Sequence, residues 1–139
     1  MGVANRLPFD LLSSIDPTVP LDGVVLIKNT GAQLALWTRT SVPSDVVTVM
    51  ASTLLASADM ILETFGEPRP SSLVVESDRR CIFFQRYDAQ VTLVLIAPRS
   101  LPRSQLRDEA YRITKSLRRT EASASPPSER IRVRGTDLR

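Results

Sequence analysis

Asp59 and Glu63 stand four residues apart in ASADMILETFG, one turn of a helix, where two carboxylates could share a divalent cation. A hard cation wants six to eight oxygen ligands, more than the four oxygens of one such pair. The chain has no histidine, so imidazole cannot complete the set. That absence also removes the commonest general base, the Ser-His and Cys-His pairs and most zinc sites. Cys81 is the single cysteine and sits inside a strand-like pattern, so it reads as a small core hydrophobe with no resolving thiol. Asp78-Arg79-Arg80 reads as a charged turn, and Trp37 as the rim or core residue that ends a strand. Lysine occurs only at positions 28 and 115, and there is no phosphate loop, dinucleotide glycine fingerprint or calcium loop. No catalytic residue, cofactor or metal is expected, and an enzyme is not the favoured reading.

The elements that position these residues are short and well punctuated. Gly23 opens the run Val24-Val25-Leu26-Ile27, Asn29-Thr30-Gly31 breaks it, and Leu34 to Trp37 resumes it, which predicts a hairpin of strands 23–29 and 32–38. Four apolar residues in succession imply that both faces of the first strand are covered. Three further strands are predicted over 72–77, 81–87 and 91–97, separated by turns at Asp78-Arg79 and Asp88-Ala89-Gln90. In the last of them Val91, Leu93 and Leu95 face one way and Thr92, Val94 and Ile96 the other, which suits a central strand. Residues 101–119 show a narrow stripe, Leu106, Ala110, Ile113 and Leu117, as a surface helix would. A weak helix is expected near Phe9 to Ile15, ended by Pro17 and Pro20. The expected division is an N-terminal segment 1–21, a domain 22–119 and a disordered basic tail 120–139, where Ile131 to Arg134 form at most a stray strand.

The strongest helix is SVPSDVVTVMASTLLASADMILETFG. Ser41 or Ser44 can cap it, Pro43 suits its first turn, and Gly66 can close it in the left-handed conformation. At about 100° per residue, Val47, Met50, Ala51, Leu54, Leu55, Ala58, Ile61, Leu62 and Phe65 form a broad apolar sector, the face expected to cover its own sheet. Asp45, Thr48, Ser52, Asp59 and Glu63 form a polar sector. A third sector holds Val46, Val49, Thr53, Ala56, Ser57 and Met60 and carries no charge, although it should face water. Small and flexible side chains without charge, on a face meant for solvent, mark a contact surface.

At 139 residues the chain suits one domain, and its hydrophobic content of 42% is ordinary for a soluble protein. No uninterrupted apolar run approaches the ~20 residues that span a bilayer, so no membrane span is expected. The lone cysteine fits a reducing, cytoplasmic location. The net charge of +3 is unevenly placed: residues 1–98 carry seven basic against ten acidic residues (−3), and residues 99–139 eleven against five (+6). Nucleic-acid binding would have to rest on that C-terminal end and is not favoured.

The order (helix)-β-β-helix-β-β-β-helix predicts an α+β fold. Its sheet is five-stranded and mostly antiparallel, with the long helix on one face and the terminal helix or helices on the other. GVVLIKNTGAQLAL with its turn glycine, the Ala/Ser/Leu/Met-rich helix closed by Gly66, and LVVESDRRCIFFQRYDAQVTLVLIA together resemble the roadblock/dynein light chain family over about residues 22–117. The resemblance implies homodimers or heterodimers formed through the central helix and the strand after it, serving as platforms for Ras-like small GTPases. It thus assigns the uncharged sector, with Val74 of the following strand, to a homodimer interface, and it makes Asp59 and Glu63 candidates for a GTPase contact. The alternative is a small-ligand sensor of profilin-like or PAS-like type, with a pocket between helix and sheet.

Overall fold

The structure, a computed structural model, describes residues 11–124 of the 139. A short helix α1 (Leu11–Ser14) precedes strands β1 (Gly23–Lys28) and β2 (Gln33–Thr38). Helix α2 (Ser44–Glu63) leads to β3 (Ser72–Glu76), β4 (Arg80–Arg86) and β5 (Val91–Pro98), and helix α3 (Arg103–Ala124) follows. The strands form one antiparallel sheet in the order β2-β1-β5-β4-β3. The expected α+β architecture is present, with β5 at its centre.

Local chemistry accounts for the turns. Gly31 adopts φ 94°, and its N–H donates to the Lys28 carbonyl at 2.9 Å, so the hairpin closes through a residue without a Cβ. Gly66 adopts φ 73° at the end of α2. There the N–H of Glu67 reaches the Leu62 carbonyl and that of Gly66 the Glu63 carbonyl, both at 3.0 Å, a Schellman closure. The Asp88 carboxylate accepts from the N–H groups of Gln90 and Val91 at 2.8 Å each and so fixes the β4–β5 turn. The start of α2 differs from expectation: no serine side chain caps it, and Pro43 occupies the cap position.

Alternation along the strands splits the core into two layers. Val24, Leu26, Phe83, Leu93 and Leu95 face α1 and α3, whose Leu106, Ala110, Ile113 and Leu117 are fully buried. Val25, Ile27, Phe84 and Val94 face α2. Among the described residues the α3 layer holds seventeen buried residues and the α2 layer six. One face of the sheet is therefore sealed and the other only partly covered. Cys81 is 2% exposed in the sealed layer, and burial pushes its thiol pKa up, as suits an inert core residue.

Helix α3 is longer than its apolar stripe implied. It runs to Ala124, five residues into the stretch that the sequence assigned to a disordered tail. The Glu121 carboxylate accepts the Tyr87 hydroxyl at 2.6 Å, and the Arg118 guanidinium lies 4.3 Å over the same ring and donates to the Tyr87 carbonyl. A pairing between residues 34 positions apart is invisible to a periodicity argument. Residues 125–139, with Ile131 to Arg134, lie outside the described residues, as do positions 1–10 of the N-terminal segment.

Candidate functional site

The feature that stands out is the outer surface of α2. Its buried residues are Thr48, Ala51 and Leu55 alone. The broad apolar sector was expected to cover the sheet, yet Met50, Leu54, Ile61 and Phe65 are exposed, Phe65 at 74%. The helix is rotated by roughly 60° (at ~100° per residue) from the orientation that its widest apolar sector suggested. The physical reason is shape. Short Thr48 and Ala51 let the helix backbone approach β1, and the Thr48 hydroxyl donates to Gln33 Oε1 at 3.3 Å in β2.

The rotation merges two apolar sectors into one exposed face. Val46, Val49 and Met60, from the uncharged sector, are 59%, 50% and 67% exposed, and Thr53, Ala56 and Ser57 lie beside them at the surface. Met50, Leu54, Ile61 and Phe65 extend the same surface. The Thr53 hydroxyl donates to the Val49 carbonyl at 3.0 Å, so it can leave water without losing its bond. No charged residue stands on this half of the helix: Asp45, Asp59 and Glu63 occupy the flank that borders it. At 20 residues and a mean hydropathy of 1.5, α2 is long and apolar enough to pass for a membrane-crossing helix. Here the helix lies along the sheet, with Thr48, Ala51 and Leu55 buried against it.

Beside α2 the uncovered sheet face opens as a groove of about 210 Å³, lined by Val46, Met50, Leu54, Val75, Ile82 and Phe84. Val74 does not belong to it. Its side chain packs against the α1–α3 layer, on the other side of the sheet. Successive strand residues face opposite ways, and it is Leu73 and Val75 that share the α2 side. Val74, expected on the surface shared with α2, thus lies on the opposite side of the sheet from it. β3 is nevertheless an edge strand, paired only with β4 among the described residues.

Asp59 is engaged within the chain. Its Oδ1 accepts from Arg86 Nη2 at 2.9 Å and its Oδ2 from Arg69 Nε at 3.2 Å. The carboxylate is committed within the chain and offers no free negative charge to a partner. Glu63 is exposed, and no ion pair engages it among the described residues. The two carboxylates are not brought together on a common ligand, and no group of three candidate metal ligands occurs among the described residues. Trp37 is half-buried against the α3 layer with the Arg39 guanidinium 5.5 Å over its ring, a structural setting.

No protein-family model matches the sequence, and no curated protein matches it either. Solved structures do. The gliding protein MglB of Thermus thermophilus superposes with a TM-score of 0.72 at 19% identity, over 89% of this chain and 95% of that one. A roadblock/LC7 domain from Streptomyces avermitilis superposes with a TM-score of 0.66 at 21% identity, over 78% and 88%. The chain has the roadblock fold. A structure described as MglB with a tetrameric arrangement aligns at 0.69 and 18% identity, over 88% and 90%. In this roadblock fold α2 is the long helix on the sparsely covered side of the sheet, and its outer surface is the candidate site.

Proposed function

We propose that this chain is a non-enzymatic, cytoplasmic, homodimeric platform that binds a Ras-like small GTPase and regulates or localises it. The exposed, uncharged half of α2 carries the reading. Seven large apolar side chains on that helix and its end (Val46, Val49, Met50, Leu54, Met60, Ile61 and Phe65) are each 40–74% exposed. Covering the rest of each is worth about 1 kcal/mol, so two copies together supply about as much as the 4–15 kcal/mol that association costs. The adjoining groove and the edge strand β3 continue the surface, and Val75 replaces Val74 as the strand residue in it. The roadblock fold, shared with MglB and with the Streptomyces domain, favours the same arrangement. Because Asp59 is paired internally, Glu63 is the one of the two acidic candidates left to meet a basic GTPase surface.

The test is titration of the full chain with Ras-like GTPases from the same cell, each in its GTP and GDP forms, alongside direct titration with GTP. Affinity for one nucleotide state of a GTPase, without affinity for GTP itself, is the expected result. Tight binding of free nucleotide, or no affinity for any GTPase, overturns the reading and promotes the ligand-sensor alternative.

A further inference from the structure

Beside Asp59 of α2, three cations from other segments gather: Lys28 at the end of β1, Arg69 before β3 and Arg86 at the end of β4. A cleft of about 100 Å³ opens between α2, the β1–β2 turn, the end of β4 and the segment leading into β3. Lys28, Arg69 and Arg86 line it with Asp59, and Leu55 and Ala56 stand at its wall. Three cations against one carboxylate leave an excess of two positive charges. Asp59 uses both its oxygens on the two arginines, so it fixes their positions without cancelling their sum. Arg86 is 13% exposed and is also held by the Pro70 carbonyl through Nε at 3.4 Å, which leaves Nη1 uncommitted among the described residues. Arg69 commits Nε alone, and Lys28 enters no ion pair among the described residues.

The remaining polar groups nearby are already committed. Asn29 Nδ2 donates to the Ala89 carbonyl at 2.9 Å, the Ser52 hydroxyl donates to the Val49 carbonyl at 2.9 Å, and Asp88 holds the β4–β5 turn. Thr92, paired across the sheet with Arg86, is fully buried, and its hydroxyl has no partner among the described residues.

We propose that this cleft binds a phosphate group, with Lys28 and Arg69 as its direct contacts and Arg86 as the anchored third donor. Planar guanidinium groups present paired N–H donors that match phosphate oxygens, and a lysine adds a compact point charge. A phosphate dianion matches the excess of two charges, whereas a carboxylate would neutralise half of it. The apolar wall reduces water on one side and so strengthens each charge contact. The phosphate belongs to a free small molecule or to a phosphorylated side chain, and the same donors would recognise both.

The test uses the full chain, labelled with 15N and titrated with inorganic phosphate at constant ionic strength balanced by chloride. Saturable shifts should appear at the amides of Asn29, Ser52 and Arg69. Lys28→Gln leaves the Asp59 ion pairs in place and should weaken binding at least fivefold, as should Arg69→Gln. Arg107→Gln, on the outer face of α3, should leave binding unchanged. A second arm uses a phosphoserine peptide: tighter binding than inorganic phosphate assigns a protein source, and equal or weaker binding assigns a free phosphate. Shifts that do not saturate, or that survive both Lys28→Gln and Arg69→Gln, overturn the proposal. The cleft lies within one chain, so either result leaves the dimer and GTPase readings standing.

Discussion

Arg86 Nη2 lies 2.9 Å from Asp59 Oδ1, a contact between residues 27 positions apart that ties α2 to the end of β4. Both side chains are mostly withdrawn from solvent, and Arg69 completes the set from the connecting segment. Helix, strand and connection are held by one carboxylate.

Removing that carboxylate should destabilise the fold. Asp59→Ala leaves a largely buried guanidinium short of a partner, which costs about 1–3 kcal/mol. Glu63→Ala, at an exposed position, should stay within about 0.5 kcal/mol of the parent. Urea denaturation of the two variants measures the difference, and equal midpoints would mean that the Asp59 pairs contribute nothing.

Charge on the outer face of α2 should act on association and leave folding intact. Val49→Glu with Met60→Glu places two carboxylates in the proposed contact, where burying them unpaired costs several kcal/mol. Light scattering at about 50 µM should then report a monomer, and circular dichroism an unchanged far-UV spectrum. A parent protein that is itself monomeric at that concentration, a limit of about −6 kcal/mol, removes the basis for the dimer.

Two neighbours in β3 should separate folding from assembly. Val74→Glu forces a charge into the layer beneath α3 and should lower stability by about 2 kcal/mol or more. Val75→Glu should leave stability nearly unchanged and weaken association. The opposite pattern in paired denaturation and sedimentation measurements would place the contact on the α3 side.

The end of α3 should matter up to Glu121. A chain ending at Ala124 keeps the Tyr87–Glu121 hydrogen bond, and one ending at Arg119 loses that bond at a buried side chain. The shorter chain should be less stable by about 1–3 kcal/mol, a drop of several degrees in thermal midpoint.

Alkaline pH tests the same contact. Burial, and then the bond to Glu121, raise the Tyr87 pKa well above the ordinary 10.0. The folded state therefore holds this proton more tightly than the unfolded chain. Its contribution is complete below pH 10 and is lost as pH climbs beyond it. Tyr87→Phe should be less stable at pH 8 and should flatten the decline between pH 10 and 11. A parent and variant with parallel declines would show that Tyr87 does not titrate differently on folding.

The fold was legible wherever a short-range rule governs it. Gly31 and Gly66 mark backbone turns that only a few sequences permit, and the double-sided apolar pattern of β5 announced a central strand. The apolar helix α2 was legible in kind but not in orientation. An apolar helix pattern says how much surface wants covering; it does not say which part its own sheet covers, and Thr48 and Ala51 won that place through their size. Val74 lies on the side of the sheet away from α2, because strand parity depends on a register that composition does not reveal. The partners of Asp59 and Tyr87 come from distant segments that only the assembled sheet brings near.

The sheet order also sets a schedule for synthesis. β1 pairs with β2 on one side and with β5 on the other, and β4 likewise needs β5, whose residues are the last strand residues made among those described. While the chain is being translated, the hairpins 23–38 and 72–86 can form but have no common partner until residue 98 has left the ribosome. During that interval each hairpin exposes an unpaired strand edge, beside a helix already rich in uncovered apolar side chains. The nascent chain is therefore most prone to wrong pairing with its neighbours on the same message just before β5 arrives. The uncharged surface of α2, the contact in the proposed dimer, emerges early and would bring such neighbours together at that moment.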